Sequence, residues 1–212
     1  MINEASTKTF INNSNIIIAQ RFLKLQTLYS NIIHDIIKVH DKLIDKESVL
    51  KIIKNKKNKN LLENEFRIIM KLNHRNILRG YELYSYRDLF FYSMEFIQTK
   101  FENKYINQYI KDILNSFEYL HENNLIHNDI KLNNFIFNNK RAVLIDFSKS
   151  KRINTYSDIK NENLILSRFL IQWINYNLKI DLIGSPESAE NFIDKNDINK
   201  LIKMFYGEKY AI

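Results

Sequence analysis

The sequence is 212 residues long, 45% hydrophobic and free of cysteine, and it carries a formal net charge of +8. A chain of this length can bury one substantial core or two small ones, so we expect one functional unit. The lack of cysteine excludes disulfides, thiolate catalysis and cysteine-bound zinc. No apolar run approaches the roughly 20 residues that a membrane helix needs, so we expect a cytoplasmic protein without a membrane partner.

The positive charge is spread along the chain rather than gathered into one patch. Lysines are scattered except for the run from Lys54 to Lys59, and asparagine, isoleucine and lysine dominate throughout, as codon bias in an AT-rich genome produces. A basic net charge attracts polyanions, but no recognised nucleic-acid-binding motif accompanies it. We therefore expect no nucleic-acid partner.

The first half of the chain predicts a small sheet and one helix. A polar lead-in, residues 1–21, is treated as an N-terminal extension, and the short β-branched and aromatic runs after it indicate strands. Apolar residues at helical spacing then indicate an amphipathic helix, followed by two more strands. The predicted strands are 22–28, 35–40, 47–53, 77–83 and 90–97, and the predicted helix is 61–72.

The second half is predicted to be mostly helical. A wide apolar stripe predicts a core-facing helix over 105–121, and short strands follow at 135–137 and 143–145. Two more helices are predicted at 161–176 and 197–205, separated by a loop with Gly184 and Pro186. The whole pattern indicates an α+β fold with an N-terminal part, 22–97, and a C-terminal part, 98–212.

The most specific segment runs from His127 to Asn134, with the sequence HNDIKLNN, and Asp146-Phe147-Ser148 follows after a strand pair. Phosphoryl transfer from ATP uses a carboxylate to orient and deprotonate the attacking hydroxyl, a lysine to neutralise the γ-phosphate, and oxygen ligands for Mg²⁺. The two acids, the lysine and the amide in these segments match each of these requirements.

These segments resemble the catalytic loop H-R-D-x-K-x-x-N and the metal motif D-F-G of eukaryotic-type protein kinases. The resemblance implies that Asp129 is the base, that Lys131 contacts the phosphate, and that Asn134 and Asp146 bind magnesium. A lysine two places after the base is typical of kinases that phosphorylate Ser or Thr. His127 is expected to brace the loop through a hydrogen bond to the backbone.

Two further motifs of the family precede this loop in the expected order. Residues 48–53 resemble the third-strand motif V-A-I-K, which implies that Lys51 holds the α- and β-phosphates of ATP. The predicted helix 61–72 resembles helix C, which implies that Glu65 is the partner of Lys51.

The segment Met94-Glu95-Phe96-Ile97 resembles the hinge of the family. The resemblance implies that the backbone at Glu95 and Phe96 binds the adenine, with Met94 as the gatekeeper.

The glycine-rich loop departs most from the family. Residues 28–37 fit the frame L-G-x-G-x-x-G-x-V, but Tyr29, Asn31 and His34 occupy the glycine positions. We assign Asn31 to the phosphates with the rest of this loop. Side chains at such positions cost affinity for phosphate or force another loop shape, so both an active and an inactive kinase stay open.

Other departures concern regulation and the C-terminal part. Asn128 replaces the arginine that normally receives an activation-loop phosphate, and Ser148 replaces the glycine of D-F-G. Either a helix from Asp158 or Glu162 follows a very short activation segment, or Ser185-Pro186-Glu187 is the A-P-E motif and helix F begins at Asp197. We favour the first alternative.

The resemblance implies a bilobal kinase-like fold with a five-stranded N-lobe sheet, helix C and a reduced helical C-lobe. The first hypothesis is a minimal Ser/Thr kinase that uses ATP and Mg²⁺, acts on a protein substrate and is constitutive or controlled by a regulatory protein partner. The alternative is a pseudokinase that acts as a binding module, and a third hypothesis, a small-molecule phosphotransferase, is disfavoured by Lys131. A compact kinase of AT-rich composition would suit a viral protein or a bacterial effector in a host cytoplasm, by analogy alone.

Overall fold

The computed structural model describes residues 16–178. The chain divides into two compact units, the first formed by Met1–Lys71 with Arg79–Phe96 and the second by Leu72–Leu78 with Ile97–Ile212. Each unit has its own sheet and its own buried core, and the α+β class predicted from the sequence is confirmed.

The first unit is an antiparallel six-stranded sheet with one α-helix. The sheet order is β1-β2-β3-β4-β6-β5. The strands are β1 (Ile17–Ile18), β2 (Phe22–Ser30), β3 (His34–Asp41), β4 (Lys46–Ile53), β5 (Gly80–Tyr86) and β6 (Leu89–Glu95), and the helix is α1 (Lys59–Ile69). The sheet has one strand more than predicted, because two residues of the predicted N-terminal extension pair with the start of β2. A two-residue strand is too short for period-two alternation to reveal it.

The core of the first unit is built from strand residues, which alternate in burial along β3 but are buried almost without interruption along β4 and β6. Phe22, Val39, Leu50 and Phe91 are fully buried, as expected where one face of a sheet turns away from water. Gly80 begins β5 where an added Cβ would come within 2.9 Å of the Ile69 side chain. A glycine at this point therefore lets β5 approach α1 closely.

A cluster of polar side chains around Arg21 connects strands of this sheet. Arg21 donates two hydrogen bonds of 2.7 Å to the carboxylate of Asp41, and one of 2.9 Å to the Tyr84 hydroxyl. Burial alone would raise the pKa of Asp41, but the bonds from Arg21 outweigh it and lower that pKa. The bidentate pair ties the turn before β2 to the end of β3.

The second unit is mostly helical and carries two small β pairs. Its helices are α2 (Ile106–Glu122) and α3 (Tyr156–Leu178), and its strands are β7 (Leu125–Ile126), β8 (Phe135–Asn138), β9 (Arg141–Leu144) and β10 (Lys151–Arg152). β8 and β9 form a hairpin, while β10 pairs with β7. Trp173 stacks on Phe137 with ring centroids 5.1 Å apart and is buried in the core of this unit.

The helix α3 begins five residues before its predicted start. Its first turns are polar, so the apolar stripe that guided the prediction begins later than the helix does. The carboxylate of Asp158 accepts the backbone N–H groups of Asn154 and Thr155, which satisfies donors at the helix start. The predicted loop at Gly184 and Pro186 and the predicted helix 197–205 lie outside the described residues. Within residues 16–178, no helix is long and apolar enough to cross a membrane.

Candidate active site

The predicted pair of Lys51 and Glu65 is present inside the first unit. Lys51 Nζ lies 2.7 Å from both carboxylate oxygens of Glu65, and the Tyr92 hydroxyl donates to the same carboxylate at 3.1 Å. The side chains of Lys51 and Glu65 are only 7% and 3% exposed. A buried ion pair is expensive to desolvate and adds little net stability, so its presence is better explained by a task than by folding.

The tip of the β2–β3 hairpin is closed by Asn31 and not by glycine. The Asn31 side-chain oxygen accepts the backbone N–H groups of Ile33 and His34, both at 2.8 Å. The neighbouring Ile32 is 94% exposed. The N–H groups that a glycine-rich loop would offer to phosphates are thus used inside this turn, and the phosphate contact of Asn31 stays a prediction.

The predicted hinge lies at the end of β6. Glu95 exchanges two hydrogen bonds with Arg79: its N–H donates to the Arg79 carbonyl at 3.0 Å and its carboxylate accepts the Arg79 N–H at 2.9 Å. The Lys38 ammonium lies 4.0 Å from the centre of the Phe96 ring, and Met94 is buried. The adenine contacts of Glu95 and Phe96 and the gatekeeper role of Met94 stay predictions.

In the second unit, Asp129 is the centre of a cluster of donors. Lys131 Nζ lies 2.6 Å from one carboxylate oxygen and Lys149 Nζ lies 2.9 Å from the other. The Asn134 amide nitrogen donates to the Asp129 carbonyl at 2.7 Å and to its carboxylate at 3.1 Å. The loop thus brings together three of the predicted residues and one, Lys149, that the motif did not identify.

These donors set the charge of Asp129. Burial by itself would raise its pKa, but hydrogen bonds from Lys131, Lys149 and Asn134 outweigh that effect and lower the pKa well below its usual range. Because folding lowers this pKa, the ionised carboxylate of Asp129 stabilises the folded state at every pH above its ordinary pKa of 3.8. This contribution to the free energy of unfolding is lost as the pH falls below 3.8. Asp129 is therefore ionised at any physiological pH.

His127 supports the loop through a hydrogen bond to the backbone, as predicted. Its Nε2 contacts the Ile145 carbonyl at 3.0 Å, and the ring packs edge-on against Phe147 with centroids 5.2 Å apart. The imidazole is fully buried, and its Nδ1 has no hydrogen-bond partner among the described residues. Burial lowers its pKa below the ordinary value of 6.5, so the ring is neutral and donates through Nε2.

This buried ring makes stability depend on pH. Below about pH 6.5 the unfolded chain binds a proton at His127 that the folded chain does not bind. We expect the free energy of unfolding to fall by at most about 1.4 kcal/mol per pH unit from this group, until the lowered folded pKa is reached. Urea unfolding at pH 7.5 and pH 5.5 measures the slope. His127→Asn should flatten it, and equal slopes in both proteins would contradict this account.

Glu162 on α3 is a site residue that the motif search missed. Its carboxylate accepts the Asn128 backbone N–H at 2.8 Å and contacts His121 Nε2 at 2.9 Å, and it is 3% exposed. The sequence does contain one sign of this role. Glu162 lies four residues before Leu166 and therefore on the same, buried face of the helix. A buried carboxylate needs a hydrogen-bond donor or a cation as a partner. Here one donor is the backbone N–H of Asn128, in the loop 127–134.

Asp146 and Asn134 are the predicted metal ligands. Asp146 has a φ of 63°, a left-handed conformation that Asp tolerates better than most residues, and it follows a buried strand. The Asn134 hydrogen bonds use its amide nitrogen, so neither uses the amide oxygen. Among residues 16–178, no group of three or more His, Asp or Glu side chains could hold a metal ion by itself.

The segment between Asp146 and α3 is short and tied down by its own contacts. Asn128, at a φ of 61°, donates from its amide to the Lys149 carbonyl at 3.3 Å. The Ser150 hydroxyl donates to the His127 carbonyl at 3.3 Å, and the Ile153 N–H donates to the Asn124 carbonyl at 3.0 Å. The short-segment alternative fits this geometry, since α3 begins ten residues after Asp146.

Comparisons with known proteins agree with these features. Residues 33–168 match the family model described as protein kinase domain. The chain is 25% identical over 175 residues to calcium-dependent protein kinase 4 of Plasmodium falciparum, covering 72% of this chain and 33% of that protein. It is 26% identical over 105 residues to calcium/calmodulin-dependent protein kinase type 1 of Caenorhabditis briggsae, covering 42% of this chain and 30% of that protein.

A solved structure gives the same result for the fold. A crystal structure of a kinase domain superposes with a TM-score of 0.63 at 15% identity, covering 73% of this chain and 64% of that one. The chain spans about a third of the length of the two curated kinases that it resembles, calcium-dependent protein kinase 4 and calcium/calmodulin-dependent protein kinase type 1.

Proposed function

The chain belongs to the protein kinase family, and we propose that it transfers the γ-phosphoryl group of ATP to Ser or Thr of a protein, with Mg²⁺ as the metal. The observation that carries this proposal is the buried pair of Lys51 and Glu65 at 2.7 Å. In protein kinases this type of ion pair must be in place for activity. A chain relieved of catalysis has no evident reason to maintain a buried charge pair that costs desolvation energy.

The residues of the chain fit ATP and magnesium. Lys51 would hold the α- and β-phosphates, and Asn134 and Asp146 would offer hard oxygen ligands to the metal. Mg²⁺ is commonly bound by one or two carboxylates together with substrate phosphates, so a protein site of one carboxylate and one amide is sufficient. When bound, Mg-ATP supplies an activated phosphoryl group whose negative charge the metal partly neutralises.

Asp129 would act on the acceptor. Its ionised carboxylate can accept a hydrogen bond from a Ser or Thr hydroxyl and so aim the oxygen for attack. As the bond to phosphorus forms, the carboxylate accepts the proton that the hydroxyl loses. Lys131, at 2.6 Å from this carboxylate, is placed to neutralise the transferred phosphoryl group.

A direct assay tests this function. Purified protein is incubated with labelled ATP, Mg²⁺ and a generic protein acceptor, and the labelled product is hydrolysed to identify the phosphorylated amino acid. We expect label on Ser or Thr that disappears in Asp146→Ala. Label on Tyr alone would overturn the acceptor class, and label that persists in Asp146→Ala would show a contaminating kinase.

A second candidate function is a pseudokinase that binds a partner protein. The observation that favours it is the Asn31 turn, whose side chain occupies N–H groups that phosphates would otherwise use. Such a protein would fold as described, but it would not be stabilised by ATP. The nucleotide-binding experiment in the Discussion separates the two functions.

We expect the activity to be independent of activation-loop phosphorylation. The segment after Asp146 is already fixed by Lys149, Ser150 and Ile153, through contacts that need no phosphate. A phosphate would have little conformational freedom left to remove. Phosphatase-treated enzyme, checked by mass spectrometry, should keep its initial rate within about twofold of the untreated enzyme.

Alanine substitutions complete this test. The Ser and Thr residues from Asp146 through the first turn of α3 are Ser148, Ser150, Thr155 and Ser157. If phosphatase treatment reduced the rate by about tenfold or more and one of these variants reproduced the loss, the segment would be a phosphorylation switch after all. Lys149 would then be the first candidate for its cation.

A further inference from the structure

A basic pocket lies in the second unit, and none of the residues assigned to phosphoryl transfer lines it. It is an open cavity of about 690 Å³. Five of its lining residues are basic and one is acidic: Arg75, Lys100, Lys104, Lys140 and Arg141, with Glu102. The basic residues come from three separate segments of the chain. No single run of lysines in the sequence therefore indicates this pocket.

The pocket has a rigid floor. The turn between β8 and β9 is tied to the segment before α2, because the Asn139 N–H donates to the Lys100 carbonyl at 3.1 Å and the Lys100 N–H donates to the Phe137 carbonyl at 2.7 Å. The Tyr109 hydroxyl donates to the Asn139 carbonyl at 2.6 Å. These bonds fix the backbones of the two segments relative to each other, so a ligand does not have to order them when it binds.

Glu102 is the one acidic residue among the described residues that line the pocket. Glu102 contacts Lys104 at 2.6 Å and Lys100 at 3.0 Å, so one carboxylate is shared by two lysines. Lys104 and Lys140 lie 4.9 Å and 5.7 Å from the centre of the Tyr105 ring. A surface that gathers five cations around one acid attracts anions and raises their local concentration.

The start of α2 adds to this field. Tyr105, which lines the pocket, is the residue before α2, and its side chain makes no capping hydrogen bond. The first turn of the helix contains no acidic residue. The positive end of the helix dipole therefore favours a negatively charged ligand at this place.

We propose that this basic pocket, formed by residues 75, 100–105 and 138–141, binds an acidic peptide segment of a partner protein. Charge complementarity selects the acidic side chains. Asn139, exposed and lining the pocket, carries two N–H donors and an acceptor oxygen on its amide, which match the C=O and N–H of a peptide backbone. A bare phosphate offers acceptors for the lysines but has no use for the amide oxygen.

A peptide fits better than a nucleic acid. Single-stranded nucleic acids use a charged groove with several exposed aromatic rings on which bases stack. Tyr105 is the one aromatic residue that lines this pocket among the described residues, and its ring is already flanked by Lys104 and Lys140. The site is a compact pocket and not a stripe that could follow a phosphate backbone.

The proposal is independent of phosphotransfer, so its test uses no nucleotide. Full-length protein is titrated into a fluorescent peptide of about eight residues, rich in Asp and Glu, which spans roughly 27 Å when extended. Binding is followed by anisotropy. We expect saturable binding that weakens as salt is raised from about 0.1 M to about 0.5 M. The matched peptide with Asn and Gln in place of the acids should not bind.

Two pairs of variants locate the site. Lys104→Glu with Lys140→Glu should weaken peptide binding by about tenfold or more, since both charges change sign inside the pocket. The matched control changes the same charge in the first unit, with Lys46→Glu and Lys57→Glu, both at exposed lysines. It should bind the acidic peptide within about twofold of the wild type. Circular dichroism verifies that both double variants are folded.

Three results would overturn the proposal. Equal weakening in the two double variants would show attraction by the net charge alone. No binding at millimolar protein would show that the pocket has no peptide ligand. If a labelled single-stranded oligonucleotide of equal charge bound more tightly and lost affinity in the pocket variant, the ligand would be a nucleic acid.

Discussion

Asp129→Asn should reduce the rate of phosphotransfer at saturating ATP by at least about a hundredfold. The substitution keeps the size of the side chain but removes the negative charge that Lys131 and Lys149 now contact at 2.6 and 2.9 Å. The acceptor hydroxyl then loses both its orientation and the group that takes its proton. The effect should be on the maximal rate, because the change removes no assigned contact to ATP.

The measurement compares initial rates with the nucleotide-induced thermal shift in the same variant. The shift by Mg-ATP should stay close to that of the wild type, while the rate falls. Glu122→Gln, at an exposed carboxylate of α2, removes the same charge elsewhere and should leave the rate unchanged. Wild-type activity in Asp129→Asn would show that this aspartate is not the acceptor-binding group.

Loss of Lys51 or of Asp146 should abolish the stabilisation of the protein by Mg-ATP. A ligand that binds only the folded form stabilises it by about 2.7 kcal/mol at a hundred times its dissociation constant. Lys51 is the assigned phosphate contact and Asp146 the assigned metal ligand, so either loss removes most of this binding energy. Differential scanning fluorimetry of wild type, Lys51→Ala and Asp146→Ala, with and without Mg-ATP, measures the effect.

Controls separate binding from folding in these variants. Lys51→Ala leaves the buried Glu65 without its lysine, which costs about 3–5 kcal/mol in comparable pairs, so Lys51→Met with Glu65→Gln removes both charges together. Asp146→Asn tolerates the left-handed backbone better than Ala and isolates the loss of charge. All four should show no shift. A wild type without a shift at millimolar ATP would favour the pseudokinase, and a normal shift in the variants would refute the residue assignments.

Most of the fold could be predicted from the sequence because its signals are local. The β-branched runs around Val39 and Leu50 extend over at least four strand residues, and the apolar stripe of α2 extends over more than two helical turns. The errors fall where the signal was short or polar. Ile17 and Ile18 form a strand too brief to show a period, and α3 starts in a polar turn whose capping acid, Asp158, has no apolar neighbour in phase.

The sequence by itself determined the chemistry that lies within a short stretch of chain. Asp129, Lys131 and Asn134 are at most five residues apart, so one loop must bring them together whatever the rest of the fold does. The pairing of Lys51 with Glu65 was implied by the resemblance of residues 48–53 and 61–72 to the third strand and helix C of protein kinases, and the structure contains this pair.

Only the tertiary structure decided the contacts between distant segments. Lys149 reaches Asp129 from 20 residues away, and Glu162 reaches the backbone of Asn128 from 34. The basic pocket gathers charges from residues 75 to 141, which in the sequence are scattered lysines and arginines without a motif. Periodicity and motifs report which side chains share an element, whereas the meeting of two elements depends on how the chain packs, and no local pattern encodes that.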